Sequence, residues 1–84
     1  MLKDYIQAAM RRATYEILED DGSFYGHIPE LPGAWANEST LEKCREELES
    51  VVDGWIILGI ALHHDFPTLD GISIVVPKVP AEAA

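Results

Sequence analysis

The sequence is poor in basic residues, with six Lys and Arg against fifteen Asp and Glu, and its formal net charge is −9. A protein that binds a nucleic-acid backbone unaided uses Lys and Arg to displace the condensed counterions. Only Arg11 and Arg12 are adjacent, and acidic residues follow them at 19–21. We therefore predict no direct nucleic-acid binding, and the acidic balance favours a basic protein partner instead.

Cysteine and long apolar runs are also scarce. The single cysteine, Cys44, excludes an internal disulfide, which fits a reducing compartment. The first ten residues carry charges where a secretory signal has its apolar core. The longest apolar stretch, residues 51–62, contains Asp53 and is too short to span a bilayer. We expect a soluble cytoplasmic protein without a membrane segment.

The composition is that of a folded domain. Hydrophobic residues make up 48% of the 84 residues, which excludes intrinsic disorder, and this length suffices for one domain. A domain of this size has a modest core, and many such domains gain stability by oligomerising. We predict a single domain over residues 1–84, with an N-terminal helix in 1–13, a core in 14–77 and a flexible tail in 78–84.

Alternation and turn residues predict four strands. Residues 14–19 and 24–28 form a hairpin around an Asp-Asp-Gly-Ser turn, and residues 34–38 add a third strand after a proline-rich loop. The β-branched run at 72–76 predicts a fourth strand. The expected fold class is α+β: an extra N-terminal helix, an antiparallel three-stranded meander, a long helix and the fourth strand.

The long helix after the third strand has two apolar sides. Ser39 is its predicted N-cap, with Glu42 at the reciprocal capping-box position. One apolar stripe is expected to pack on the sheet and comprises Leu41, Cys44, Leu48, Val51, Val52, Trp55, Gly59 and Leu62. Ile57 and Ile60 lie roughly opposite this stripe and Ile56 on its flank, so we predict that they form an interface with another chain. The alternative is that the N-terminal helix or the fourth strand covers them internally.

Candidate catalytic and metal-ligating residues are present but form no clear constellation. Glu16, Glu19 and Asp21 could hold a divalent cation in a residual nuclease, yet they crowd one hairpin, whereas two-metal chemistry draws carboxylates from several elements. The His-His-Asp run at 63–65 lacks the further ligands of a zinc site. Cys44 lies on the apolar stripe, which favours a packing role over that of a nucleophile. We predict a non-catalytic protein without cofactor or metal.

The order and spacing of these motifs resemble the HicB family of antitoxins. Residues 15–33 run through the acidic-Gly turn, an aromatic strand and a P-x-L-P-G loop, and residues 39–44 open the helix as in that family. The resemblance covers residues 14–62. It implies a partial ribonuclease-H-like fold without the nuclease active site, and a protein that neutralises a small basic HicA-type mRNA-interferase toxin.

The resemblance leaves two functions open. Many HicB-like proteins carry a C-terminal DNA-binding domain, and this chain has little room for one after its long helix, so it resembles a short stand-alone subgroup. The leading prediction is an antitoxin that forms a dimer or tetramer, either through the edge of the sheet or through Ile56, Ile57 and Ile60. Its acidic residues Glu19, Asp20 and Asp21 are expected to face the toxin. The alternative is an orphan homo-oligomeric binding module with no toxin partner.

Overall fold

The computed structural model describes residues 2–74. They form, in chain order, α1 (Leu2–Arg11), β1 (Thr14–Ile17), β2 (Phe24–His27), β3 (Trp35–Glu38) and α2 (Leu41–Ala61). The strands pair antiparallel in the order β1-β2-β3. The predicted α+β class, with an N-terminal helix, a three-stranded meander and a long second helix, is confirmed.

The β1–β2 hairpin closes on an acidic turn. The Leu18 N–H donates to the Ser23 carbonyl at 2.8 Å, and the Gly22 N–H donates to the Leu18 carbonyl at 2.8 Å. Gly22 has a φ of 71°, a left-handed conformation that glycine adopts without steric cost. The Asp21 carboxylate accepts from the Ser23 N–H at 2.9 Å. Because these bonds belong to the turn, β1 is shorter than alternation predicted.

Helix α2 begins one residue later than predicted. Thr40 is its N-cap, since the Thr40 Oγ1 accepts from the backbone N–H of Lys43 at 3.1 Å. The assignment of Ser39 as N-cap, with Glu42 completing a capping box, was therefore wrong. Both neighbouring hydroxyl residues suit an N-cap, and the decision lies with the backbone, because Thr40 takes the extended conformation that a cap requires.

At the C-terminal end of α2, the residue after the C-cap is His63, where many helices have a glycine. The His63 N–H donates to the Ile60 carbonyl at 3.2 Å, and the His64 N–H donates to the Gly59 carbonyl at 2.8 Å. His63 itself has a φ of 58°. This is the Schellman arrangement, in which the residue after the C-cap is left-handed and the last helical carbonyls find donors.

The core lies between α2 and one face of the sheet. Gly26 marks this face, since a Cβ there would lie 2.8 Å from the Tyr15 ring and 3.1 Å from the Cys44 Sγ. Helix α2 contacts β2 and β3 on this side and also contacts α1. The buried hydrophobic residues are Tyr5, Ala8, Ala9, Ile28, Leu31, Ala34, Ala36, Cys44, Leu48, Val52, Ile56 and Leu69.

The segment after α2 folds back against both helices. The Phe66 ring packs edge-on against Tyr5, with centroids 6.4 Å apart, and against Trp55, with centroids 5.8 Å apart. The Tyr5 hydroxyl donates to the Pro67 carbonyl at 2.7 Å. These contacts hold the return segment over the C-terminal half of α2.

Residues 72–74 do not form the start of the predicted fourth strand. Ile72 makes an isolated antiparallel bridge with Leu69, because the intervening Asp70 and Gly71 have φ values of 51° and 77° and reverse the chain. Residues 75 and 76, the rest of that predicted strand, lie outside the described residues, as does the predicted tail at 78–84.

Candidate interaction surfaces

The face of the sheet opposite α2 is covered by neither helix. Strand register places two rows of side chains on it: Thr14, His27 and Trp35 in one row, and Glu16, Tyr25 and Asn37 in the other. Both helices lie elsewhere, since α2 contacts β2 and β3 from the Gly26 side and α1 contacts α2. This side of the sheet is therefore an open surface within the described part of the chain.

Three aromatic rings form a continuous patch on the open surface, which we call the aromatic face (Tyr25, His27 and Trp35). The Tyr25 and Trp35 rings stack with centroids 6.0 Å apart, and the Tyr25 and His27 ring centroids are 5.5 Å apart. Trp35 is 54% exposed. The Thr14 Oγ1 lies 3.2 Å from the His27 Nδ1 and 3.4 Å from the His27 Nε2. Tyr25 and His27 are half-buried beside Trp35. A cluster of aromatic rings that is accessible on the surface of a small protein is typical of a binding surface.

Sequence reasoning missed Trp35 as a member of this patch. A signal was present, because alternation puts Tyr25 and His27 on one side of β2 and Trp35 and Asn37 on one side of β3. Alternation divides the side chains of each strand between two faces of the sheet. It does not say which side chains of β2 share a face with which side chains of β3. The β2–β3 register, in which His27 is opposite Trp35, supplies that link.

The acidic residues predicted to face a partner are exposed in the β1–β2 turn. Glu19, Asp20 and Asp21 all lie on the surface there. Hydrogen bonds from the Ser23 side chain and backbone lower the pKa of the Asp21 carboxyl. The exposed Glu16 lies in β1 on the open side of the sheet, in the row nearer this turn. Negative charge therefore continues from the turn onto the sheet.

The adjacent basic pair Arg11 and Arg12 is engaged within the chain. The Asp70 carboxylate lies 3.0 Å from the Arg11 Nη2 and 2.8 Å from the Arg12 Nη2, and Glu30 lies 2.9 Å from the Arg12 Nη1. The guanidinium groups of Arg11 and Arg12 hold the pKa of the Asp70 carboxyl below its usual range. Strands β1, β2 and β3 contain no Lys or Arg. The open sheet surface therefore carries one carboxylate, that of Glu16, and no Lys or Arg from its three strands.

The structure corrects the predicted interface on α2. Ile56 is 0% exposed and continues the buried stripe of Leu48 and Val52, so it is a core residue. Each step of four residues advances about 40° beyond a full turn, and the buried stripe therefore drifts around the helix to reach Ile56. Ile57 is 61% exposed, whereas Ile60 is half-buried against the core.

The large apolar residues that are exposed in the C-terminal half of α2 and at its cap are Ile57, Leu58 and Leu62, which we call the α2 apolar end. They are 61%, 58% and 54% exposed. The predicted core stripe had included Leu62, but Leu62 is the C-cap residue and is exposed. Apolar residues exposed in a group favour contact with another surface. Among residues 2–74, neither helix combines the length and apolarity that a membrane span needs.

Helix α2 carries exposed carboxylates over its first two-thirds. Glu46, Glu49 and Asp53 line an open groove of about 430 Å³ together with Ser50 and with Ile6 of α1. These three carboxylates add to the negative surface.

No cluster of metal-ligating side chains assembles among residues 2–74. No three His, Cys, Asp or Glu side chains in that part of the chain lie close enough together to hold a metal ion. Cys44 is buried, as its place on the apolar stripe predicted, and burial raises the pKa of its thiol. A raised thiol pKa disfavours the thiolate that a cysteine nucleophile needs.

The fold and these surfaces define a small α+β domain in which a long helix backs a three-stranded antiparallel meander and contacts an N-terminal helix. The profile of the UPF0150-like family matches residues 4–67, and the chain belongs to this family. The fold is similar to the crystal structure of TTHA0281 from Thermus thermophilus, with a TM-score of 0.82 and 32% sequence identity; the match covers 92% of this chain and 95% of that one. No curated protein matches the sequence.

Proposed function

We propose that this protein is a non-catalytic, HicB-like antitoxin that binds a small basic HicA-type mRNA-interferase toxin in the cytoplasm and neutralises it. The placement of charge is the observation that carries this proposal. Carboxylates are exposed in the β1–β2 turn and along α2, while the adjacent arginines are bound to Asp70 and Glu30. Such a surface steers and holds a cationic partner.

The motif order supports the HicB-like assignment. Residues 15–33 and 39–44, which resemble the HicB pattern, fall within the region that the family profile matches, 4–67. The order β1-β2-β3-α2 agrees with the first four elements of a partial ribonuclease-H-like fold. A fourth strand after α2 would complete that fold, and it belongs to the proposal.

Homo-oligomerisation, as a dimer or tetramer, is the second part of the proposal. The α2 apolar end supports it, and Ile57 replaces the buried Ile56 as the central contact. Fully burying one such side chain contributes about 1.5–3 kcal/mol. An interface there leaves the acidic turn and the open sheet surface free for a toxin.

The oligomer is tested by placing a charge in the α2 apolar end. Ile57→Asp should give a monomer in light scattering, because an unpaired carboxylate would be buried in the interface. Leu41→Asp is the matched control, since Leu41 is an exposed apolar residue at the other end of α2. An Ile57→Asp protein with the mass of the parent would contradict this interface.

The antitoxin function is tested by affinity capture from a lysate of the source organism. The tagged protein should retain a small basic protein at near-equal stoichiometry and release it at high salt, because the contacts are mainly electrostatic. The released partner should cleave mRNA alone and lose that activity in the complex. Capture of a partner whose RNA cleavage is unaffected would contradict neutralisation.

The alternative function is an orphan homo-oligomeric binding module without a toxin. The α2 apolar end supports it, because these exposed residues would be buried between two copies of this chain without a second protein. Recovery of only untagged copies of this chain in the same capture experiment would support the alternative and reject the antitoxin.

A further inference from the structure

We propose that the aromatic face (Tyr25, His27 and Trp35) is a docking site for arginine side chains on the surface of a basic protein. This inference rests on the proposed function, since it names the surface that holds the basic partner. It also assigns a role to residues that take no part in the core or in the α2 apolar end.

The geometry of the rings suits a planar cation. Tyr25 and Trp35 are diagonal neighbours on adjacent strands, on one surface, with ring centroids 6.0 Å apart and planes at 29° to each other. Trp35 is 54% exposed, so its ring is accessible from solvent. A guanidinium is planar, weakly hydrated and stacks on aromatic faces better than an ammonium does. One such contact at an exposed site strengthens binding about twofold to fivefold.

The charges around the rings select a cation. Glu16 is the register partner of Tyr25, so its carboxylate lies on the same surface beside that ring. A guanidinium stacked on Tyr25 therefore has an acceptor for a charge-assisted hydrogen bond within reach. Glu19, Asp20 and Asp21 in the adjoining turn extend the negative field.

The same charges disfavour other occupants. A second copy of this chain would bring its own Glu16 and no cation from its strands against the first. Single-stranded RNA could stack its bases on aromatic rings, but its phosphates need Lys and Arg that these strands lack. An arginine-bearing protein satisfies both the rings and the carboxylate.

The site is tested by titrating the full-length ¹⁵N-labelled protein with an alternating Arg-Gly peptide and following its NMR signals. The backbone signals of Tyr25, His27 and Trp35 and the Trp35 indole N–H should shift. The Trp55 indole N–H donates to the Pro32 carbonyl at 2.9 Å. Its signal should not shift on addition of the peptide, so it serves as an internal control. A Lys-Gly peptide of equal length and charge should bind about twofold to fivefold more weakly.

Matched variants separate a specific site from general attraction to an acidic protein. Trp35→Ala should weaken peptide binding about twofold to fivefold. Glu16→Gln and Glu49→Gln each remove one negative charge, but only Glu16 lies on the open sheet surface, so only Glu16→Gln should weaken binding by more than about twofold. Circular dichroism checks that each variant is folded.

Three results would overturn the site. The peptide could shift the signals of Glu46, Glu49 and Asp53 instead of the aromatic face. Alternatively, an oligouridylate could shift the aromatic face at physiological salt, which would assign it to RNA. Finally, the same signals could move with protein concentration alone, which would assign the face to a second copy of this chain.

Failure of this inference is distinguishable from failure of the proposed function. If the Trp35→Ala protein still captures and neutralises a basic toxin, with the salt dependence of the parent protein, the aromatic face is not the docking site. The antitoxin function is then retained. If the Arg-Gly peptide binds at the aromatic face but no toxin is recovered from the lysate, the docking site is retained and the antitoxin function is rejected.

Discussion

Two glycines of α2 should respond in opposite directions to the same substitution. Gly54 is exposed, and a Cβ there would meet nothing within 4 Å. Gly59 is buried, and a Cβ there would lie 2.8 Å from the Cε1 and Cζ atoms of Phe66. In a helix interior, alanine is more favourable than glycine by about 0.8–1.0 kcal/mol. Gly54→Ala should therefore raise the free energy of unfolding by about 1 kcal/mol.

Gly59→Ala should lose that gain. The Phe66 ring cannot withdraw freely, because it packs edge-on against Tyr5 at 6.4 Å and against Trp55 at 5.8 Å. Overpacking a well-filled site costs about 1–3 kcal/mol, which leaves a net change between zero and about 2 kcal/mol of destabilisation. For a domain of this size, each kcal/mol moves the thermal midpoint by about 4–8 °C.

Thermal and urea unfolding, followed by circular dichroism at one fixed protein concentration, measure both changes. Fixing the concentration matters because self-association would shift the midpoint. In a Phe66→Ala background the obstructing ring is gone, and Gly59→Ala should then stabilise by about 1 kcal/mol relative to Phe66→Ala alone. If Gly59→Ala stabilises the parent as much as Gly54→Ala does, Phe66 does not pack over Gly59 and the reasoning is refuted.

Three further substitutions test local features of the fold. Thr40→Ala should cost about 1 kcal/mol in urea unfolding, because the Lys43 N–H loses its acceptor, whereas Ser39→Ala should change stability by less than about 0.5 kcal/mol; equal losses would contradict Thr40 as N-cap. His63→Gly should stabilise by about 1 kcal/mol, since a φ of 58° is unfavourable for a residue with a Cβ, and a lower thermal midpoint would argue against the Schellman end. Asp70→Asn should destabilise near neutral pH, because two arginines lower the folded-state pKa of Asp70. That stabilisation is present above the unfolded pKa of about 3.9 and is lost as pH falls through the lower folded value, so parent and variant should converge in acid; a gap that persists at about pH 2 would refute this linkage.

The sequence by itself determined the elements and their order. Alternation at 14–19 and 24–28, the Asp-Asp-Gly-Ser turn and the helical period after Thr40 are short-range signals, and the structure has a hairpin, a third strand and a long helix at those places. The burial of Cys44 followed in the same way, because it lies on the apolar side of the first half of α2. Such features depend on neighbours a few residues away, which a sequence displays directly.

Only the tertiary structure decided which side chains share a surface. A helical period gives the spacing of a stripe but not its drift across the sheet, so Ile56 was assigned to an interface and is in fact buried. Register across β2 and β3 brought Trp35 beside Tyr25, and the chain reversal at Asp70 placed that carboxylate on the arginines at the end of α1. These contacts join residues far apart in the chain, and their partners are set by packing rather than by local propensity.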